Sequence, residues 1–282
     1  MTSLTKEFIK KFVYRSLEED GFQENFLYIH SLPTDIVNCQ LKIKSDLVLA
    51  GLPYFFECFN VFLEEPINYK KHMVHEGHFF KEEEKKEIHF QLPFSVALTL
   101  ERLALNLLNR MSSIATTTKE FVDIVKDKDI KILDTRKTTP GLRAFEKYAV
   151  RIGGGYNHRM HQTDVWMIKD NHKSFFGGLE GAMKFFDSMG SFYNPRVVEI
   201  HDLKELKEAI DLGIHHVMLD NFSPETIREA IKIKPQNMTY EVSGGLHLGI
   251  LKDYAIKGVD AMSVGMLTYA PKKVDLSLKY NK

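Results

Sequence analysis

The sequence predicts an α/β protein whose second half repeats a strand–helix unit. Two observations carry this. After Lys131, short apolar runs alternate with amphipathic stretches of helical spacing. The chain also has enough apolar material for a sizeable core, with 282 residues of which 44% are hydrophobic and 27% charged. The predicted strands are residues 131–134, 165–168, 196–200, 216–219, 238–242 and 261–264. Helices are predicted between them, at 203–211, 224–232 and 247–256. Strands alternating with helices argue for βαβ units and a parallel sheet. Right-handed crossovers repeated this often close into a barrel, with a doubly wound open sheet as the alternative.

The first hundred residues are less regular. Thr5 to Glu19 has helical spacing, with Phe8, Phe12 and Leu17 on one side. Residues 37–48 alternate in places, as strands do. Lys81 to Lys86 reads KEEEKK between the apolar stretches 78–80 and 88–90, a solvated turn between two strands. Leu92 to Arg110 is helical, and no Gly or Pro interrupts it after Ser95. His72, His75 and His78 are spaced by three, but Gly77 argues against a helix there. They are expected to be surface or interface histidines without a carboxylate ligand set.

Charge and composition exclude several classes. Lys plus Arg equals Asp plus Glu at 38 each, so no global field draws the chain to nucleic acid or to a membrane surface. Cys39 and Cys58 form no CxxC pair, which sets aside zinc and thioredoxin chemistry and suits two buried thiols in a reducing compartment. The longest apolar run, Leu47 to Leu63, is broken by Gly51, Pro53 and Glu57 and is too short to span a bilayer. The first residues lack a basic segment followed by an apolar one. A cytoplasmic location is expected.

The ends of the apolar runs carry the chemistry. They are followed by, or contain, Thr135-Arg136-Lys137, Lys169-Asp170-Asn171-His172, Glu199, Asp220-Asn221, Ser243-Gly244-Gly245 and Gly265. In a βα barrel the C-terminal strand ends share one face, and that face holds the active site. Each group alone is more simply a solvated or helix-capping residue. Glu199 is harder to dismiss, because an ionised carboxylate inside an apolar run needs a partner. Arg136, Lys137, His158, Arg159 and Lys169 would supply clustered positive charge for an acid with more than one carboxylate. The glycine turns after the late strands would let backbone N–H groups approach a phosphate. Glu199 and Asp220 are hard oxygen donors suited to Mg²⁺. Gly153-Gly154-Gly155 lacks the context of a dinucleotide fingerprint and is expected to be a flexible turn that presents Asn157-His158-Arg159.

Several motifs then occur in a specific order. They are Glu101-Arg102-Leu103-Ala104-Leu105-Asn106, Ile114-Ala115-Thr116, the stretch DTRKTTPGLR from Asp134 to Arg143, Asn157-His158-Arg159 and Lys169-Asp170-Asn171-His172. Leu219-Asp220-Asn221, Glu241-Val242-Ser243-Gly244-Gly245 and Ser263 to Thr268 follow. Together they resemble the quinolinate phosphoribosyltransferase family. The match is dense from residue 101 to about 278 and loose before it.

The resemblance implies an incomplete βα barrel over 106–267 and an N-terminal α/β sandwich over 1–105, completed by about 268–282. It implies a Mg²⁺-dependent reaction of quinolinate with phosphoribosyl pyrophosphate, giving nicotinate mononucleotide, pyrophosphate and CO₂. It also implies a homodimer, alone or assembled into a hexamer, in which one subunit covers the other's barrel. Residue by residue, Arg102 would reach the partner's pocket. Thr135, Arg136, Lys137, His158, Arg159 and Lys169 would line the quinolinate site. Lys137, Glu199 and Asp220 would be catalytic and would bind phosphoribosyl pyrophosphate, the two carboxylates also holding the metal, partly through water. Ser243, Gly244, Gly245, Ser263, Val264 and Gly265 would hold the phosphate end.

The chain departs from the family pattern in four places. Residues 19–25 lack the usual GD-x-T element, Ser113 stands for glycine, Met160-His161-Gln162 for the residues after the NHR motif, and Tyr269-Ala270 for His-Ser. The related molybdenum-transport-associated group departs from the Lys-Asp-Asn-His pattern that is intact here. A nicotinate phosphoribosyltransferase would need one carboxylate site, not two. A non-catalytic phosphosugar-binding barrel predicts losses among Arg102, Lys137, Glu199 and Asp220, and all four are present.

Overall fold

A computed structural model of the chain describes residues 3–24, 26–190 and 195–282. Met1 and Thr2, the first of the residues lacking a basic segment, and Asn25, the end of the segment lacking GD-x-T, lie outside them. The chain divides into two compact units, Met1–Thr117 with Pro271–Lys282, and Thr118–Ala270.

The first unit contains α1 (Ser3–Glu19), α2 (Phe26–Ser31), β1 (Ile36–Ile43), β2 (Leu47–Val48), α3 (Leu52–Asn60), β3 (Phe79–Phe80), β4 (Glu87–Pro93) and the start of α4 (Phe94–Val125). β1 pairs antiparallel with β4 on one edge and with the C-terminal strand, Leu276–Asn281, on the other. Register follows the apolar alternation. Cys39 faces Phe90, while Leu41 faces both Ile88 and Leu278, and all are buried. The KEEEKK segment holds a short 3₁₀ turn, Glu82–Glu84, between β3 and β4, although β3 pairs with β2 rather than with β4.

The buried row of α1 is Ile9, Val13 and Leu17, one face at i, i+4 spacing. The row expected from the sequence included Phe8, which is 44% exposed. α3 is apolar on most sides. Phe56 meets Phe90 edge-on at 5.1 Å and stacks on Tyr69 at 5.3 Å. It also stacks on His72 at 5.4 Å. His72 is therefore not a surface histidine. Residues Tyr69–His75 form a 3₁₀ helix that turns its ring into the core, because an imidazole face can pack against phenyl as an aromatic.

α4 begins where the sequence predicts and continues past Arg110 to Val125, since nothing in residues 111–125 breaks a helix. Its buried stretch 111–118 is mostly small or hydroxylated, which lets the β2–α3 segment come close. Val48 N donates to Thr116 Oγ1 at 2.9 Å, and Ala50 N donates to Ser112 Oγ at 3.1 Å. These hydroxyls satisfy buried backbone donors that would otherwise be orphaned. Ser113 is buried in the same stretch.

The second unit runs β5 (Lys131–Leu133), α5 (Arg143–Ile152), β6 (Trp166–Ile168), α6 (Asp170–Phe175), α7 (Leu179–Met189), β7 (Arg196–Ile200), α8 (Leu203–Asp211), β8 (His216–Asp220), α9 (Pro224–Lys232), β9 (Thr239–Ser243), α10 (Leu251–Tyr254), β10 (Ala261–Ser263) and α11 (Met266–Tyr269). The six strands are parallel, in the order β5-β10-β9-β8-β7-β6. The first strand lies beside the last, and the others follow chain order. A doubly wound sheet would start in its middle and reverse. This order is a barrel left open between β5 and β6. On the free edge of β5, Tyr156 N donates to Ile132 O at 2.8 Å and Asp134 N donates to Tyr156 O at 3.0 Å.

Two local expectations change. The helix predicted at 247–256 is only Leu251–Tyr254, because Gly244 and Gly245 take positive φ and the chain spends the next residues in turns. Gly155 is not a flexible turn. A Cβ there would lie 2.7 Å from Thr118 Cγ2 and 2.9 Å from Val150 Cγ1, so its role is close packing.

Phe56→Ala would delete the ring shared by these contacts. It should lower the stability of the protein by about 3–5 kcal/mol, read by chemical denaturation.

Candidate active site

The strand ends of the second unit open into one cavity of about 780 Å³. Thr135, Arg136, Lys137, His158, Arg159, Lys169, Glu199, Asp220, Ser243, Gly244, Gly245, Ser263 and Gly265 line it. Strand register explains the convergence. Glu199 is level with Met218 and Met218 with Glu241, while Asp220 is level with Ser243. In neighbouring parallel strands, level positions share a face, so these side chains all point inward. Two expected site residues do not line the cavity. Val264 is buried, and its N–H donates to Leu133 O at 2.9 Å. Arg102 is exposed on α4 in the first unit.

The loop after β5 is built around Asp134, which is fully buried. Its carboxylate pairs with the Lys147 ammonium, itself buried on α5. It also accepts from Asn157 Nδ2 at 2.6 Å and from the His158 N–H at 2.9 Å. Burial pushes the Asp134 carboxyl up and the Lys147 ammonium down, while their attraction opposes both shifts. The rest of the DTRKTTPGLR stretch is tied at several points. Lys137 N donates to Thr135 Oγ1 at 3.0 Å, and Thr139 N to Glu146 Oε2 at 3.1 Å. Arg143 Nε donates to Thr138 Oγ1 at 3.0 Å, and Thr268 Oγ1 to Lys137 O at 2.9 Å. The Lys137 backbone is thus fixed while its side chain is left exposed at the cavity.

Arg159 is held through backbone carbonyls. Its Nη1 donates to Gln162 O at 3.0 Å and Val165 O at 2.9 Å. Asp164 closes this loop by accepting from Met160 N at 2.7 Å and His161 N at 2.8 Å. The side chains of Met160-His161-Gln162 take no part in these bonds, which is how the loop tolerates its unusual sequence. Burial, and then the charge of Arg136, lower the Arg159 pKa. Arg136 Nε is itself buried and has no hydrogen-bond partner among the described residues. Two guanidinium groups thus repel each other beside a cavity, the electrostatic state that an acidic ligand would relieve.

The carboxylates are equally placed. Lys169 Nζ pairs with Glu199 Oε2 at 2.6 Å, so the charge embedded in the β7 run has a partner. Asn221 takes φ 58° just after β8 and donates from Nδ2 to Asp220 Oδ2 at 2.8 Å. Gly244, at φ 102°, makes room for Asn221, since a Cβ there would fall 2.2 Å from Asn221 Oδ1. Asp170, Glu199 and His201 each offer one ligand atom within 4.8 Å of the others. Carboxylate oxygens and an imidazole form a donor set that fits a divalent cation. Asp220 Oδ2 lies 4.0 Å from His201 Nδ1, beside this group. Hydrogen bonding and charge from Lys173, with His201, hold Asp170 below the usual carboxylate range, although burial works against them.

Some cavity residues were not predicted. His247 lines the cavity from the turns after β9, a lone histidine that no spacing marks. His201, next to Glu199 but not in the cavity lining, follows β7 directly, so the strand-end rule that found Glu199 could also have found it. Met167, Met218, Leu246 and Met266 supply apolar walls, which no charge pattern marks. Tyr269, one of the departures, lies at the cavity beside Gly265, with ring carbon Cε1 3.2 Å from where a Cβ on Gly265 would be.

Asp134→Ala would leave the Lys147 ammonium buried without its partner. A loss of about 3–5 kcal/mol is expected by denaturant unfolding, and an unchanged midpoint would contradict the structural role given to the pair.

The comparisons with known proteins agree with this geometry. The sequence model described as "Quinolinate phosphoribosyl transferase, C-terminal domain" matches residues 114–279. A protein of Bacillus subtilis described as a probable nicotinate-nucleotide pyrophosphorylase [carboxylating] is 42% identical over 248 residues, covering 86% of this chain and 83% of that one. A protein of Methanocaldococcus jannaschii with the same description is 36% identical, and the alignment covers 98% of each chain. The crystal structure of NadC from Streptococcus pyogenes superposes with a TM-score of 0.89 at 34% identity and 100% coverage of both chains. The chain therefore belongs to the quinolinate phosphoribosyltransferase family.

Proposed function

We infer that the protein transfers phosphoribosyl from phosphoribosyl pyrophosphate to quinolinate with loss of CO₂, giving nicotinate mononucleotide and pyrophosphate for NAD biosynthesis. The observation that carries this reading is the pair Arg136 and Arg159. Both line a cavity whose opposite strand ends carry carboxylates and a glycine turn. A dicarboxylate has two anionic groups to offer these cations, and the Ser243-Gly244-Gly245 turn suits a sugar phosphate.

The chain's residues support a dissociative transfer. The bond from ribose C1 to pyrophosphate breaks, and Glu199 and Asp220 can stabilise the positive charge that develops on the sugar. Lys137 can carry charge for the departing pyrophosphate. The pyridine nitrogen of quinolinate, held by Arg136, Arg159 and Lys169, then forms its bond to C1. The ring 2-carboxylate leaves as CO₂, its bonding electrons pass toward the quaternised nitrogen, and the ring carbon takes a proton. Lys169 would exchange Glu199 for a substrate carboxylate when quinolinate binds. Magnesium is the proposed metal, held by Glu199 and Asp220 partly through water, with Asp170 and His201 adjacent. When bound, it would neutralise charge on the pyrophosphate.

The proposed assembly is a homodimer, or a hexamer of such dimers, in which Arg102 completes the partner's quinolinate site. In its support, Arg102 is exposed, and the described residues that line the cavity run from 135 to 269. The domain reading is a sandwich of residues 1–105 with 268–282 and a catalytic barrel over 106–267. Among the described residues, no helix is long and apolar enough to cross a membrane. Two free buried cysteines support a cytoplasmic location. Burial pushes the Cys39 thiol up to about 11 and the Cys58 thiol to about 12, with the charges of Glu101 and Glu57 respectively adding to it.

With quinolinate, phosphoribosyl pyrophosphate and Mg²⁺, the protein should release nicotinate mononucleotide and CO₂ in equal amounts. Turnover of nicotinate with none of quinolinate would overturn the assignment. Arg102→Ala should raise the quinolinate KM or abolish activity. Mixed one to one with Lys137→Ala and allowed to exchange subunits, it should recover about a quarter of wild-type sites, as expected for random dimers in which each mixed pair has one intact site. No recovery after verified exchange would place Arg102 outside the partner's site.

A further inference from the structure

One buried carboxylate in the second unit has no part in the reaction described above. Glu241 is the middle residue of β9, 9% exposed, and sits level with Met218 in the barrel interior. Ser243, two residues further on and on the same face, lines the cavity. Glu241 thus belongs to the layer beneath the cavity's polar rim. An acid placed under a site for acids requires a reason, since its charge opposes substrate binding.

The reason lies in its partner. Glu241 Oε2 is 3.2 Å from Nε2 of His158, and the two side chains are 12% and 10% exposed. The other ring nitrogen is also committed. The backbone N–H of Arg159 donates to His158 Nδ1 at 2.7 Å, so Nδ1 must present a lone pair. A ring with a lone pair on Nδ1 carries its proton on Nε2, where it faces the Glu241 carboxylate. The imidazolium form would set an Nδ1–H against the Arg159 N–H. His158 is therefore a neutral imidazole here, not one of the cations the sequence suggested. The His158 N–H meanwhile donates to Asp134 Oδ1 at 2.9 Å. Two buried carboxylates, Asp134 and Glu241, grip this residue by its backbone and by its ring.

We propose that Glu241 is a positioning residue for quinolinate recognition: by holding His158 as the Nε2–H tautomer, it makes the ring an acceptor for the Arg159 N–H and so sets Arg159 toward the substrate. This rests on the quinolinate reading of the cavity. The pair works like the carboxylate–histidine couples that orient metal ligands, with a guanidinium in place of the metal. The second oxygen, Glu241 Oε1, is buried with no hydrogen-bond partner among the described residues. The fold thus keeps a half-satisfied carboxylate in the barrel, a cost that the His158 contact accounts for.

The test separates positioning from mere stability. Glu241→Met removes the acceptor at similar volume, whereas Glu241→Gln keeps a carbonyl oxygen for the Nε2–H. The Met variant should raise the quinolinate KM about 10- to 100-fold, the range typical of lost orienting partners, with the phosphoribosyl pyrophosphate KM unchanged. The Gln variant should stay within about threefold of wild type, as a retained hydrogen bond predicts. Nitrogen-15 NMR of histidine-labelled wild-type protein should find His158, assigned by its loss in His158→Gln, in the Nε2–H form at neutral pH. The Met variant should lose that signature.

A wild-type ring in the Nδ1–H or doubly protonated form would overturn the proposal. So would a folded Met variant with an unaltered quinolinate KM, or one in which both KM values rise together. The NMR measurement on wild type needs neither turnover nor a folded Glu241 variant. A protein that fails to consume quinolinate yet holds His158 as Nε2–H would refute the substrate and leave the Glu241–His158 couple standing.

Discussion

The active-site mouth depends on the buried Asp134 carboxylate. It directly follows β5, receives the ammonium of Lys147 from α5, and accepts from both the side chain of Asn157 and the backbone of His158. Three stretches of chain that are not neighbours in sequence thus share one charge. Its cost is large, because neither ion sees water, and further hydrogen bonds are what make such a pair tolerable. What the arrangement gains is geometric. The cations on either side, Arg136 in the next residues and Arg159 beyond the loop, are brought to one cavity by a single rigid anchor.

The same logic recurs around the cavity rim. Lys173 is buried yet donates to Glu199 O at 3.0 Å and to Glu205 Oε1 at 2.9 Å, which fixes the start of α6 against β7 and α8. Asn221 fixes Asp220, and Gly244 exists to admit Asn221. Arg136, Lys137, Arg159, Lys169, Glu199 and Asp220 are exposed or half-buried at the cavity, whereas Asp134, Lys147 and Lys173 are buried. A chain with no net charge can in this way concentrate cations on one side of a cavity and carboxylates on the other without a global field.

Much of the barrel was legible in the sequence because its signal is local. An apolar run followed by a polar strand end repeats six times, and each run became a strand of the parallel sheet. Thr135, Arg136, Lys137, Lys169, Glu199, Asp220 and the glycine turns all lie at such ends, and all line the cavity. His247 and the methionine walls carry no such mark. Hydrophobic lining looks the same as core in a sequence, and one histidine past a strand end is an unremarkable residue. His72 was misplaced because burial of an imidazole depends on Phe56 and Tyr69, contacts that no periodicity encodes.

By itself, the sequence determined the strand–helix alternation, the chemistry at the strand ends and the family, since each rests on residues near one another in the chain. Only the tertiary structure decided that the barrel is open between β5 and β6, because strand order is set by pairing over long separations. Only it decided which acids are ligand-facing and which are buried supports. Asp134, Glu199 and Glu241 look alike as acidic residues in or beside apolar runs. One anchors Lys147, one faces Lys169 at the cavity, and one holds His158 from beneath. The difference is what each side chain meets, since Glu199 and Glu241 point to the same face of the sheet.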